Sequence, residues 1–159
     1  MAQTTAAVCQ SGYKVEISPD GTTWTDVSGV GVGIAVGGGE AQVGEQMTAL
    51  GEYALVVPGN KIEPYEITIR SVYTESATEA FAIAYTAFEG ASKLLAARWA
   101  PKGTGSTSFN FATSVAGAAV ATVPIVSCTP PEQDASDGKP AVFELVLKSP
   151  ALFKGTIGA

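Results

Sequence analysis

GNKIEPYEITIRSVYTE, residues 59–75, is the stretch that decides the fold. From Tyr65 the larger apolar side chains fall on Tyr65, Ile67, Ile69 and Tyr73, while Glu66, Thr68 and Arg70 take the intervening places. That is the period of two expected of a strand buried on one face and wetted on the other. Just beyond it the period changes. Ser76 and Glu79 stand at the Ser-x-x-Glu spacing of a capping box, Phe81, Tyr85 and Phe88 follow at helical intervals, and Gly90 offers a left-handed stop. LLAARW at residues 94–99 is a second strand, closed by the turn PKG at 101–103. Strand, helix, strand predicts one short helix pinned beside a sheet.

Strands continue on both sides of this core. Tyr13, Val15 and Ile17 alternate with Lys14, Glu16 and Ser18, Pro19-Asp20-Gly21 makes a tight turn, and residues 22–27 run back, which predicts a hairpin. Residues 108–112 read as a short strand and 118–128 as a longer one rich in Ala, Val and Thr. Residues 130–140 form a polar connection. Phe143, Leu145 and Leu147 then alternate with Glu144 and Lys148 in a last clear strand, followed by a tail with Leu152, Phe153 and Ile157. Residues 28–60 are glycine-rich, yet Val30, Val32, Ile34 and Val36 alternate strictly. This segment predicts a long loop or extended hairpin, bent at Gly37 to Gly39, of a length that a compact domain keeps for function or for packing on another chain. Its candidates for contact with a neighbouring subunit are Glu40, Glu45, Met47, Leu50 and Tyr53.

The chain of 159 residues is read as one domain, 1–159, with no internal repeat. Its hydrophobic share is 46% and its aromatic share 8%, so small residues and strands must fill a thin sandwich. A net charge of −6 without a basic run argues against gripping nucleic acid through its phosphates. The two cysteines, Cys9 and Cys128, are too few for a disulfide framework and are expected as thiols. The first residues lack the pattern of a signal peptide, so synthesis in a cytoplasm is expected. Residues 103–131 carry no charge, but Ser, Thr and Asn interrupt them and Pro124 falls in their most apolar part, so no membrane insertion is expected.

Chemistry is largely excluded by what is missing. With no histidine, the commonest general base is absent and a Ser-His or Cys-His nucleophile is impossible. The run from Gly29 breaks the dinucleotide fingerprint, because Ile34 and Val36 occupy the third glycine's place in the two registers. Gly138-Lys139 is followed by Pro140 where a phosphate loop needs Ser or Thr. The acid pairs Asp134 with Asp137 and Glu40 with Glu45 lie in polar surroundings that would raise neither pKa, and Asp134 to Asp137 lacks the ligand density of a calcium loop. No enzyme activity, metal or cofactor is expected. What remains is an edge problem: several alternating strands with a charged fraction of only 15% leave open edges that invite pairing with other chains.

The order of these segments, with YKVEISPDGTTWTDVSG at 13–29, GNKIEPYEITIRSVYTE at 59–75 and AFEGASKLLAARWAPKG at 87–103, resembles the major tail tube proteins of long-tailed bacteriophages over most of the chain. The resemblance implies an α+β, mainly β, sandwich-like tail-tube fold with one flanking helix. It implies hexameric rings closed by an inner β-barrel and stacked into a virion tail tube, assembled in the bacterial host cytoplasm. The implied partners are further copies of the chain, a tape-measure protein, and tail tip and tail terminator proteins, with DNA passing through unbound. Glu66, Thr68, Arg70, Glu144 and Lys148 are then candidates for the channel lining, where an excess of negative charge would let phosphates slide. Two alternatives stand beside this: a secretion-system tube protein of the same fold, and an immunoglobulin-like virion decoration or adhesion module, which would lack the helix between strands.

Overall fold

The structure, a computed structural model, describes residues 8, 12–44, 57–103, 108–116 and 119–158. The strands are β1 (Lys14–Ser18), β2 (Thr25–Asp26), β3 (Gly31–Gly38), β4 (Ala41–Val43), β5 (Pro58–Ile62), β6 (Tyr65–Val72), β7 (Leu94–Ala100), β8 (Ser108–Thr113), β9 (Val115–Ala116), β10 (Ala119–Val120), β11 (Val123–Thr129), β12 (Val142–Ser149) and β13 (Leu152–Gly158). One helix, α1 (Ala80–Glu89), stands between β6 and β7. The main sheet runs β13-β8-β7-β11-β12-β6-β3, with β1 attached to β7 and β2 attached to β1, and it folds over on itself as a sandwich.

Alternation places the core. Ile67 and Ile69 of β6 stand opposite Leu147 and Leu145 of β12, and Val15 and Ile17 of β1 stand opposite Trp99 and Ala97 of β7. These side chains, with Leu95, Val123, Ile125 and Phe143, fill one cluster between the two layers. Each such aliphatic or aromatic residue contributes roughly 1.5–3 kcal/mol on burial. Phe81 of α1 packs on this cluster, edge-on to Phe143 at 5.1 Å. Strand β7 is buried on both faces, because Ala96 and Ala112 join Val120 in a second cluster with Trp24, Phe153 and Ile157.

Four local expectations are corrected. Ser76 and Glu79 do not form a capping box: α1 begins at Ala80, and Glu79 at its N-cap makes no side-chain cap bond. The Glu79 carboxylate instead accepts from Thr74 Oγ1, and Ser76 Oγ meets Thr78 Oγ1 at 3.1 Å, so this Ser-x-x-Glu closes the turn ahead of the helix. Gly90 is extended, at φ −61° and ψ 160°, and the left-handed residue is Lys93, at φ 50°, whose Nζ donates to Phe88 O at 2.8 Å. The return strand after the first turn shrinks to two residues, since the Asp20 carboxylate takes the N–H groups of Thr22 and Thr23 at 2.8 and 2.7 Å and bends the chain around itself. Those bonds hold its pKa well below the carboxylate range. Finally, the strand expected at 118–128 is two, β10 and β11, because Ala121 turns back to bond Ser114 O at 2.7 Å.

The described parts of the long segment after residue 28 are paired strands. Its first part, β3, pairs with β6 as the end strand of the sheet, while Val32 and Val36 on it remain 47% and 41% exposed. Gly38 and Gly39 then turn the chain with φ of +69° and +71°, a region only glycine enters at little cost. At Gly39 a Cβ would stand 2.0 Å from the Tyr65 ring. Beyond the bend β4 and β5 pair as a separate ribbon. Among the described residues the sheet does not close into a barrel, as β3 and β13 end it.

Candidate assembly surfaces

The outer face of β6 and β12 carries the expected channel residues, and it carries them together. The two strands are antiparallel neighbours, with Glu66 opposite Lys148, Thr68 opposite Val146 and Arg70 opposite Glu144. Lys148 Nζ lies 3.8 Å from Glu66 Oε2, both about half exposed. β3 extends the same face with Gly37, Ala35 and Gly33 opposite Glu66, Thr68 and Arg70. β11 extends it on the other side with Thr129 and Ser127 opposite Glu144 and Val146. Two carboxylates thus face two cations, and the face is charge-balanced. The acidic excess lies elsewhere, part of it in Glu132, Asp134 and Asp137, which line a cavity of about 410 Å³ with Arg70 and Lys139. Ser136 donates to Asp134 by side chain and backbone at 2.7 and 2.9 Å, which lowers that pKa. Among the described residues no group of His, Cys, Asp or Glu is placed to hold a metal.

The second surface is the ribbon β4–β5, the stem of an arm. Every residue in both strands is exposed, and Val43, Val57 and Ile62 are exposed by 61%, 60% and 60%. The stem closes through Gly44 N–H to Val57 O at 2.7 Å and Glu63 N–H to Glu40 O at 2.9 Å. Gly59 lets the strands meet, since a Cβ there would stand 2.2 Å from Gln42 O. A two-stranded ribbon alone is marginal in water, and an apolar one asks for a partner. Of the expected contact residues Glu40 stands exposed at the foot of the stem, while Glu45, Met47, Leu50 and Tyr53 lie outside the described residues.

The third surface has no signal in the sequence. A groove of about 580 Å³ is lined by Val8, Tyr13, Val32, Ile34, Trp99 and Pro101. It adjoins one of about 420 Å³ that shares Val8 and Pro101 and adds Lys102, Phe111 and Lys154. Behind these surfaces Arg98 donates from Nε and Nη2 to Glu16 Oε2 at 2.9 and 2.6 Å, with its guanidinium over Trp24 and Phe109 at 4.2 and 4.1 Å. Lys14 reaches the other Glu16 oxygen at 2.9 Å. Both Glu16 and Arg98 are buried, so the second cluster is pinned by a desolvated ion pair. Cys128 is a buried thiol pushed up to about 11 by burial, which leaves it protonated at neutral pH. Cys9 lies outside the described residues.

This arrangement offers edges and faces for association. The same fold occurs in assemblies of known structure. A chain of the sheath–tube complex of an extracellular contractile injection system, in its extended state, superposes with a TM-score of 0.59 at 15% identity, covering 98% of this chain and 94% of that one. A chain of the tube-terminating cap of the anti-feeding prophage gives 0.60 at 12% identity, covering 100% and 96%. A chain of the 6-fold symmetrised anti-feeding prophage baseplate gives 0.61 at 9% identity, covering 98% of both. At such identities the likeness is one of fold, a mainly β sandwich with one flanking helix. The sequence matches no protein-family profile and no curated protein.

Proposed function

We propose that this chain is a structural, non-enzymatic subunit that self-assembles into the tube of a phage-tail-like contractile injection apparatus. The observation that carries this is the exposed, apolar arm beside an open sheet edge, on a fold shared over nearly the whole chain with components of such machines. The arm and edge need partners, and identical copies supply them. Six copies would close a ring, with the charge-balanced face of β3, β6, β12 and β11 lining an inner barrel. Stacked rings would form a channel capped by terminator components and founded on a baseplate, put together in the cytoplasm of the producing cell.

The long-tailed phage tail tube remains the second reading, carried by the segments at 13–29, 59–75 and 87–103. It uses the same mechanics, with a tape-measure protein and DNA in the channel. The fold matches reported above favour the injection machine. An immunoglobulin-like decoration module is disfavoured by α1 between β6 and β7. Electron microscopy of the purified protein should show tubes of stacked rings, and a monomer persisting at high concentration by light scattering would sink the reading. Co-assembly with a contractile sheath protein then separates the injection machine from the non-contractile tail.

A further inference from the structure

The chain holds two Asp-Gly steps, Asp20-Gly21 and Asp137-Gly138, and no Asn-Gly. At such a step a polypeptide can rearrange by itself, because glycine has no Cβ to keep its backbone nitrogen away from the carboxyl of the residue before it. The two steps are alike in sequence. The fold sets them in opposite surroundings.

Asp20-Gly21 is locked. Asp20 Oδ1 accepts from Ser18 Oγ and from the N–H groups of Thr22 and Thr23 at 2.8, 2.8 and 2.7 Å, and Oδ2 accepts from Thr23 Oγ1 at 3.0 Å. The Gly21 N–H, whose nitrogen would have to attack, donates to Oγ of the buried Ser18 at 2.8 Å. Gly21 is itself wedged at φ +76°, with Val120 O 2.7 Å from where a Cβ would stand. Asp137-Gly138 is open. It lies in the connection between β11 and β12, where residues 132–140 are all exposed. No atom stands within 4 Å of a Cβ built on Gly138, and the Gly138 N–H has no partner among the described residues. Asp137 Oδ1 accepts from the Lys139 N–H at 3.1 Å, an Asx turn that folds the carboxyl over the Gly138 peptide. Its other oxygen meets the exposed Lys139 Nζ at 3.5 Å, a pair that solvent screens.

We infer that Asp137-Gly138 is a site of spontaneous isoaspartate formation in the folded protein and that Asp20-Gly21 is not. The Gly138 nitrogen attacks Asp137 Cγ, the new N–Cγ bond closes a succinimide ring, and one carboxyl oxygen leaves as water with the amide proton and a proton from solvent. Water then opens the ring at either carbonyl. Opening at Cγ restores aspartate, and opening at the main-chain carbonyl of Asp137 leaves the chain running through Cγ, with no oxidant, no reductant and no net change of mass. At Asp20 the same step must first give up the Gly21 bond to Ser18 and bonds to the carboxylate, which slows it by about ten-fold or more. The product at 137 adds a carbon to the backbone of the connection and moves the carboxylate off its Asx turn. β12 is held in register by both β11 and β6, so the change should stay within the connection.

Ageing the folded protein at neutral pH and body temperature tests this. Isoaspartate is counted by methyl transfer from an isoaspartyl methyltransferase. It is placed by peptide mapping, where the isomer elutes apart at unchanged mass and resists an endoproteinase that cleaves before aspartate. The isomer should accumulate at 137 about ten-fold or more faster than at 20. In urea both steps lose their surroundings, and the two rates should converge. Gly138→Val, placed in open space, should keep the fold by circular dichroism and stop accumulation at 137, as a branched side chain shields the nitrogen. The comparison of the two steps in the wild-type chain decides the matter even should that variant misfold. Equal rates at the two steps in the folded protein, no isomer at 137, or a ratio that persists unchanged in urea would overturn the inference.

Discussion

Excision of the arm separates folding from assembly. The stem can be cut where its strands are already in contact, by removing residues 41–62 and joining Glu40 to Glu63, whose backbones meet at 2.9 Å. The β3–β6 register survives, with Gly38 still opposite Tyr65 and Gly37 opposite Glu66. No buried residue lies in the described part of the excised segment, so that part contributes no core area. Shortening the connection from about 26 residues to 4 lowers the loop-closure cost by about 1.5 kcal/mol. The shortened chain should therefore unfold in urea at or above the wild-type midpoint, with the same slope. It should also fail to form tubes by electron microscopy and sediment as a monomer or an isolated ring. Loss of the β signal in circular dichroism, or a midpoint reduced by the equivalent of about 2 kcal/mol, would show that the arm belongs to the subunit's own core.

Two further outcomes follow from the charges. Breaking a buried ion pair costs roughly 3–5 kcal/mol, so Glu16→Gln and Arg98→Met should each lower stability by about that much in urea. Glu16→Gln should cost more, because it strands both Arg98 and Lys14; a loss below about 0.5 kcal/mol in either would contradict the buried pair. On the proposed channel face, Glu66→Lys/Glu144→Lys leaves four cations where two pairs stood. Tubes of this variant should bind labelled DNA in low salt and release it near 0.5 M, whereas wild-type tubes should not bind; equal binding by both would remove this face from the channel wall.

What the sequence settled by itself is the local grammar. The alternation at Ile67 and Ile69, at Leu145 and Leu147, and at Val15 and Ile17 named three strands and their buried faces, because a strand repeats every two residues whatever it packs against. The helical spacing of Phe81, Tyr85 and Phe88 placed α1, although its ends were misread. Capping depends on where a carboxylate finds a donor, and Thr74 drew Glu79 away from Ser76. The tertiary structure decided everything that depends on which strands are neighbours. Glu66 met Lys148 because β6 lies against β12, so the shared outer face of these two strands pairs acids with bases. Glu16 met Arg98 across 82 positions, and Lys102 came to line one groove with Lys154. Pairing between distant strands leaves no mark at either strand alone: periodicity tells a side chain to be buried or exposed, and only the register of the whole sheet chooses its partner.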